Sequence, residues 1–253
     1  MKYLYVTALL FVSSQAFGRG SVRCNNAERM TATPITMGRK YISLTFWFKV
    51  TALPGATNDL IIELSDVGLA AQLGIGFRSG GSGFQATKSG GTSLLAFNPA
   101  PTSLAGSWNF VAYTNDGTTN KMWIINYSSF MYTESTVALD GGANFSDLWV
   151  CDDTFAANFT GNVADIHVAS ATYSEAEVME AYRCSDFKHH KEIVHYPLWD
   201  GTTKANPTSW LNHATGPYSK ITYPLDRLQR VAGTPVVDWD GPPINYCYSG
   251  GGQ

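Results

Sequence analysis

The chain has 253 residues, of which 44% are hydrophobic and 15% charged, and this apolar content is enough for a core and excludes disorder throughout. Its 24 glycines and 11 prolines supply the tight turns of an all-β fold, in which about 250 residues often form one domain. The formal net charge is −3 and the strongest basic cluster is 188–191, so no nucleic-acid partner is expected.

Residues 1–16 support two interpretations. Lys2, an apolar run over 4–12 and small residues ending at Ala16 are typical of a signal peptide. The same run could instead form a buried first strand. It is shorter than the roughly 20 apolar residues that cross a membrane, so no membrane span is predicted.

Alternating apolar and polar residues next predict a series of strands separated by glycine- and proline-rich turns. The predicted strands cover 41–50, 60–64, 73–77, 84–87, 93–97, 107–114, 121–126 and 147–151, with a strand or a long loop over 127–137. Asp116 and Gly117 lie between two of these strands and predict a hairpin there.

The last long strand of the series is predicted over 159–168. Its alternation predicts two faces, one with Ala164, Ile166 and Val168 and the other with Val163, Asp165 and His167. One short helix follows near 174–183, because Ser174 and Glu177 form a capping box ahead of apolar residues at helical spacing.

These stretches resemble the concanavalin A-like jelly rolls of the laminin G and pentraxin type. The family ends in a phenylalanine, a glycine, an acidic strand, then serine, glutamates and a short helix, as 159–182 does. The run from Trp108 to Thr114 resembles the family's Trp-x-x-Val-Ala-x-Thr strand, and the aromatic strand at 41–50 resembles an earlier one. The resemblance covers roughly 28–184 and implies an all-β jelly-roll sandwich; function must come from the site, because this fold hosts many functions.

We predict two parts, a sandwich over 1–184 and an extended arm over 185–253. Seven of the 11 prolines follow residue 196, interleaved with Trp199, Trp210 and Trp239. Prolines at this density argue against regular strands, whereas the tryptophans argue against a disordered linker. We therefore expect the arm to pack on the sandwich or on a neighbouring subunit.

Glycan-cleaving relatives of this fold carry paired acidic residues on one strand, separated by about 5–9.5 Å. No strand here shows that pattern; the nearest pairs are Asp152 with Asp153, and Asp238 with Asp240 in the arm. We therefore predict that the protein is not an enzyme, with a glycanase of the same fold as an alternative.

The resemblance implies calcium as a possible ion, held by rim carboxylates, and the candidate ligands in predicted turns are Asp140, Asp152 and Asp153. No other cofactor is predicted. Glycan binding needs exposed aromatic residues with a few fixed polar groups. The candidate stacking residues are Trp210, Tyr218 and Trp239.

The sequence also predicts the surroundings of three polar residues, Asp165, His167 and His195. Asp165 matches the acidic residue of the family's closing strand, where we expect it to hold a neighbouring loop. His167 is expected to be packed or at the rim. His195 has no partner at ligand spacing in the sequence and is expected at the surface.

The four cysteines do not have zinc-site spacing. Cys24 precedes the resembling region and Cys184 follows the helix, so these two could pair in an exported protein. In a protein assembled inside a cell, all four, including Cys151 and Cys247, would be reduced.

The segment from Ile193 to Asp200, the Asn212-His213 pair and Pro242-Pro243 resemble laminin G-like proteins of tailed phages. In those proteins a glycine usually precedes the Asn-His, where Leu211 stands here. The resemblance implies a virion-surface protein that decorates or extends a capsid as a homo-oligomer, bound to other virion proteins. A glycan-adhesive outer face is compatible with that role, and a secreted glycan-binding lectin is the alternative.

Overall fold

The computed structural model describes residues 21–25, 29–32, 35, 37–54, 59–66, 68, 72–78, 83–98, 101–139, 144–151, 159–184, 191–196, 209–211, 227–232, 236–238 and 242. These residues form two antiparallel sheets and one α-helix. The two interpretations of 1–16 lie outside the described residues.

The first sheet contains eight strands. In chain order they are β1 (Ser21–Asn25), β3 (Ile42–Lys49), β8 (Trp108–Asn115), β9 (Asn120–Asn126), β10 (Ser129–Ser135), β12 (Thr160–Ala169), β13 (Glu192–Tyr196) and β16 (Val236–Asp238). Their spatial order is β10-β9-β8-β3-β12-β1-β16, and β13 also pairs with β12. Because β1 pairs with 160–163 and β13 with 166–169, they share one edge of β12.

The second sheet also contains eight strands. They are β2 (Arg29–Ala32), β4 (Asp59–Ser65), β5 (Gln72–Arg78), β6 (Gly83–Lys88), β7 (Thr92–Phe97), β11 (Asp147–Val150), β14 (Ser209–Leu211) and β15 (Arg227–Ala232). Their order is β14-β15-β2-β11-β4-β5-β6-β7. The predicted two-sheet sandwich is therefore confirmed.

Strand β3 shows how the sequence positions the core. Every second residue of β3 points into the space between the sheets, namely Ile42, Leu44, Phe46 and Phe48. There Phe48 stacks on Phe84 of β6 with ring centroids 5.3 Å apart. Ring contacts of this kind join strands from the two sheets into one buried cluster.

The outer face of the first sheet is covered by helix α1 (Glu175–Arg183). The side chain of Trp47 in β3 points to this face and stacks on Tyr182 of the helix, with ring centroids 5.4 Å apart. The predicted capping box is confirmed, since the Ser174 side chain accepts from the Glu177 N–H and the Glu177 side chain accepts from the Ser174 N–H. A second apolar cluster lies between helix and sheet.

The predicted alternation along β12 is wrong at the middle of the strand, because the residues before and after that point do not keep the same faces. The pairing with β3 shifts register between Ala164 and His167, so a β-bulge inserts one residue there. Asp165 takes a left-handed conformation, with φ of 51°. Because of the bulge, Val163 shares the inner face with Ile166 and Val168, whereas Ala164 belongs to the outer cluster under the helix.

Regular strands also occur beyond residue 185, contrary to the expectation from proline content. β13 continues the first sheet, β14 and β15 extend the second, and β16 pairs with β1. None of these strand ranges contains a proline, a residue that cannot donate a ladder hydrogen bond.

The disulfide expected between Cys24 and Cys184 is wrong. Cys24 is bonded to Cys151, with their Cα atoms 5.9 Å apart. This bond joins β1 of the first sheet to the end of β11 in the second. Cys184 is disulfide-bonded as well, but not to Cys24.

Within the described part of the chain, no helix has the length and apolar character needed to cross a membrane.

Candidate functional site

A cleft of about 220 Å³ lies on the outer face of the first sheet, beside the start of helix α1. Its floor comes from β8, β9 and β10, and its wall from 172–175. The lining residues are Thr114, Asp116, Thr119, Lys121, Trp123, Phe130, Tyr132, Thr172, Tyr173, Ser174 and Glu175. The cleft thus combines aromatic rings with hydroxyl and charged groups.

Hydrogen bonds to the sheet position the wall. The Ser43 hydroxyl of β3 donates to the Ala171 carbonyl at 2.7 Å and accepts from the Tyr173 N–H at 2.8 Å. Thr172 donates its hydroxyl to the Asn115 carbonyl, also at 2.7 Å. Hydrogen bonds to the sheet therefore hold residues 171–173, which directly precede the helix, in place.

The floor presents an aromatic surface along β10. Phe130 and Tyr132 alternate with inward residues, and their exposed fractions are 53% and 43%. Tyr132 packs against the buried Trp123, with ring centroids 5.3 Å apart, and its hydroxyl donates to Glu134. The ring is thus held in place while much of it stays accessible to solvent.

Asp116 supplies a fixed negative charge at one end of the cleft. Its Oδ1 accepts from the Thr119 N–H at 2.7 Å, the Thr118 N–H at 2.9 Å and the Thr118 hydroxyl at 2.7 Å. These bonds, that from Thr119 first, hold the pKa of Asp116 below its usual value. The carboxylate therefore stays ionised and acts as an acceptor.

A second polar site is buried where β12 meets β13. His167 and His195 face each other across the strand pair, with ring centroids 3.9 Å apart. Both Nε2 atoms point at Asp165 Oδ1, from 3.3 Å for His167 and 3.1 Å for His195. Glu192 Oε1 lies 2.5 Å from His167 Nδ1. We call these four residues the histidine cluster.

Electrostatics in the histidine cluster concentrate the positive charge on one ring. Burial by itself would lower the pKa of His167, but Asp165 and Glu192 raise it to about 10. Burial would raise the pKa of Asp165, but His167 and then His195 lower it to about 2. Burial, followed by the charge of His167, lowers the pKa of His195. Without a bound ion, His167 carries the proton that its two carboxylate neighbours stabilise.

Two sequence expectations for these residues are wrong. His195 is 6% exposed instead of lying at the surface, because β13 pairs with β12 and brings it opposite His167. Asp165 contacts the two histidines instead of a neighbouring loop. His167 is packed in the interior, as expected, and is 2% exposed.

Within the described part of the chain, neither site contains any other residue that the sequence analysis named as a ligand or catalytic candidate. Asp140, Asp152, Asp153, Tyr218 and Trp239 lie outside those residues, as does Asp240. Trp210 belongs to β14 and Asp238 ends β16, and the structure describes only the backbone at these two positions.

Sequence reasoning missed the cleft. One signal for it was present, because Phe130 and Tyr132 stand two residues apart and so share a strand face. The sequence does not decide between a strand and a loop over 127–137, so it does not show whether the two rings share a face.

Two antiparallel sheets packed face to face, with one helix on an outer face, define the lectin-type jelly-roll class. The model of the family described as the concanavalin A-like lectin/glucanases superfamily matches residues 25–179, more than half of the chain. The protein belongs to this superfamily. The search of curated proteins found no match.

Solved structures with a similar fold come from diverse organisms. A Bacteroides ovatus protein, provisionally described as carbohydrate-binding, aligns with a TM-score of 0.57 and 10% identity over 90% of this chain and 61% of its own. Tailspike protein 2 of bacteriophage CBA120 aligns at 0.49 and 15%, over 69% of this chain and 28% of its own. A heptameric pentraxin of Limulus polyphemus aligns at 0.48 and 8%, over 64% and 81%. At these identities the likeness concerns the fold alone.

Proposed function

We propose that this protein is a non-enzymatic glycan-binding protein of a virion surface, and that it binds sugar in the cleft beside helix α1. The cleft carries the proposal, because it places exposed aromatic rings next to fixed hydrogen-bonding groups. Sugars offer apolar C–H faces that pack on aromatic rings and hydroxyls that need donors and acceptors.

The geometry assigns parts to individual residues. Tyr132, braced by Trp123, is the stacking surface for one sugar ring, and Phe130 extends it along β10. Asp116 accepts from sugar hydroxyls, and Lys121 donates to them from the same cleft. A cleft of about 220 Å³ is smaller than the roughly 300–1,000 Å³ of typical ligand pockets, so it suits a short part of a longer glycan chain.

Binding without cleavage is supported by the carboxylates that line the cleft. Hydrolysis needs a carboxylic acid kept protonated by its surroundings beside a second, ionised carboxylate. The lining carboxylates are Asp116 and Glu175, and the hydrogen bonds to Asp116 favour its ionised form. Asp116 is therefore unsuited to the general-acid role.

Binding is tested on a glycan array and then by titration calorimetry with the strongest oligosaccharide. Tyr132→Ala should weaken binding about tenfold, or about 1.4 kcal/mol, whereas Tyr132→Phe should bind like the wild type because it keeps the ring. Tyr127→Ala is the matched control, since Tyr127 is 85% exposed but does not line the cleft. Equal binding by Tyr132→Ala and the wild type would place the sugar elsewhere. Release of reducing sugar would contradict the non-enzymatic proposal.

Display on a virion is supported by the phage-like pattern within 159–243 and by Tyr127, which lies between β9 and β10, is 85% exposed and does not line the cleft. Buried aromatic side chains commonly dominate contacts between subunits. Light scattering should find a homo-oligomer, and mass spectrometry should find the protein in purified particles. A monomer secreted with its N-terminus near residue 17 would instead support the lectin alternative.

A further inference from the structure

We propose that Asp165, His167 and His195 bind one divalent transition-metal ion of the zinc class, with Glu192 orienting His167. The site is buried where β12 pairs with β13, and none of its residues lines the cleft. It is independent of the proposed glycan binding.

The three ligand atoms already have the spacing of a metal site. A tetrahedral ion with bonds of 2.0–2.1 Å places its ligands about 3.3 Å apart. His167 Nε2 lies 3.3 Å and His195 Nε2 3.1 Å from Asp165 Oδ1, and all three atoms lie within 4.8 Å of one another. The two rings are stacked with an interplanar angle of 19°, so binding would require them to turn until both Nε2 atoms face the same ion.

Both ring nitrogens of His167 have the surroundings of a metal-binding histidine. Its Nδ1 contacts Glu192, the carboxylate–histidine pairing that commonly orients a ligating imidazole. Its Nε2 is buried and makes no hydrogen bond to any residue that the structure describes, although it is aimed at the shared Asp165 oxygen. An ion bound at Nε2 would replace the proton there and leave the Nδ1–H donated to Glu192.

The backbone supports the same assignment. The left-handed conformation of Asp165 at the β-bulge turns its carboxylate toward the two histidines, and strained conformations of this kind are concentrated at functional sites. The matching cross-strand position of His195 completes the set.

Charge and ligand type indicate the class of ion. Two carboxylates and two neutral imidazoles carry two negative charges, which one divalent cation balances. Two nitrogen ligands and one oxygen suit zinc and related ions, whereas calcium takes six to eight oxygen ligands. A four-coordinate ion would take its fourth ligand from solvent.

The experiment uses the full chain without a histidine tag, stripped by chelator and desalted. Zn²⁺ is added to the folded protein and, separately, during refolding from urea, so that burial of the site cannot hide binding. We expect one equivalent by elemental analysis and a higher melting temperature than for the stripped protein. Co²⁺ should give the intense visible absorption of a four-coordinate site.

The variants separate this site from adventitious binding. His195→Gln should lose the bound ion and the metal-dependent rise in melting temperature, whereas Glu192→Gln should bind about 10–100-fold more weakly. The double variant His189→Gln, His190→Gln is the control and should bind like the wild type. The proposal is overturned if the wild type takes up no Zn²⁺ under either condition. It is equally overturned if His195→Gln binds normally, or if the control variant loses the ion.

Discussion

The Cys24–Cys151 disulfide should be a major contributor to stability. It joins strands of opposite sheets, and both residues are buried, with exposed fractions of 0% and 2%. The bond closes a loop over a sequence separation of 127 residues. In the chain-entropy description, a loop of this length restricts the unfolded chain by about 5 kcal/mol.

The perturbation is the double variant Cys24→Ala, Cys151→Ala, because alanine avoids placing a hydroxyl in the apolar core. We expect the free energy of unfolding to fall by about 2–5 kcal/mol, since measured values often lie below the entropic limit. For a domain of this size, each kcal/mol corresponds to about 2–4 °C in melting temperature. Urea and thermal unfolding of the variant and the wild type measure both quantities.

The same bond can be located directly by mass spectrometry of a non-reducing digest, which should recover a peptide pair linking Cys24 to Cys151. A Cys24–Cys184 pair would refute the tertiary arrangement described above. A double variant as stable as the wild type would refute the argument from loop closure.

Three further perturbations test the packing, the helix cap and the fixed carboxylate. Gly76→Ala should lower the free energy of unfolding by about 3 kcal/mol or more, because its Cβ would lie 2.2 Å from the Asp59 carbonyl oxygen. Gly74→Ala, whose Cβ would meet the flexible end of a leucine side chain, should lower it by less. Urea unfolding measures both, and the reverse order would contradict the reasoning. Ser174→Ala should cost about 1 kcal/mol by removing the helix cap, and an unchanged urea midpoint would argue against the cap. For Asp116 the folded-state pKa is lowered, so its stabilisation is complete above the unfolded value and is lost as pH falls through the folded one. The gap in melting temperature between wild type and Asp116→Ala should therefore narrow below about pH 4, and a gap that widens there would contradict this.

Much of the fold could be predicted because its signals are local. Alternation places Ile42, Leu44 and Phe46 on one face of β3 wherever that strand pairs. The capping box at Ser174 uses residues three apart, so its hydrogen bonds form within a single turn. The end of a strand and the start of a helix are therefore visible in the sequence without knowledge of their neighbours.

The candidate sites depended on contacts between distant residues, which only the tertiary structure decided. His195 lies 30 positions beyond Asp165 and reaches it because β13 takes the edge of β12 that β1 leaves free. The bulge that turns Asp165 toward the histidines arises from the register between β12 and β3, and Cys24 meets Cys151 only when the two sheets stack. The sequence determined most of the strands between residues 41 and 169 and which face of most of them is apolar, because those preferences act over a few residues. Pairing order, register and the approach of the two sheets determined which polar groups meet, because they depend on the free energy of the whole core.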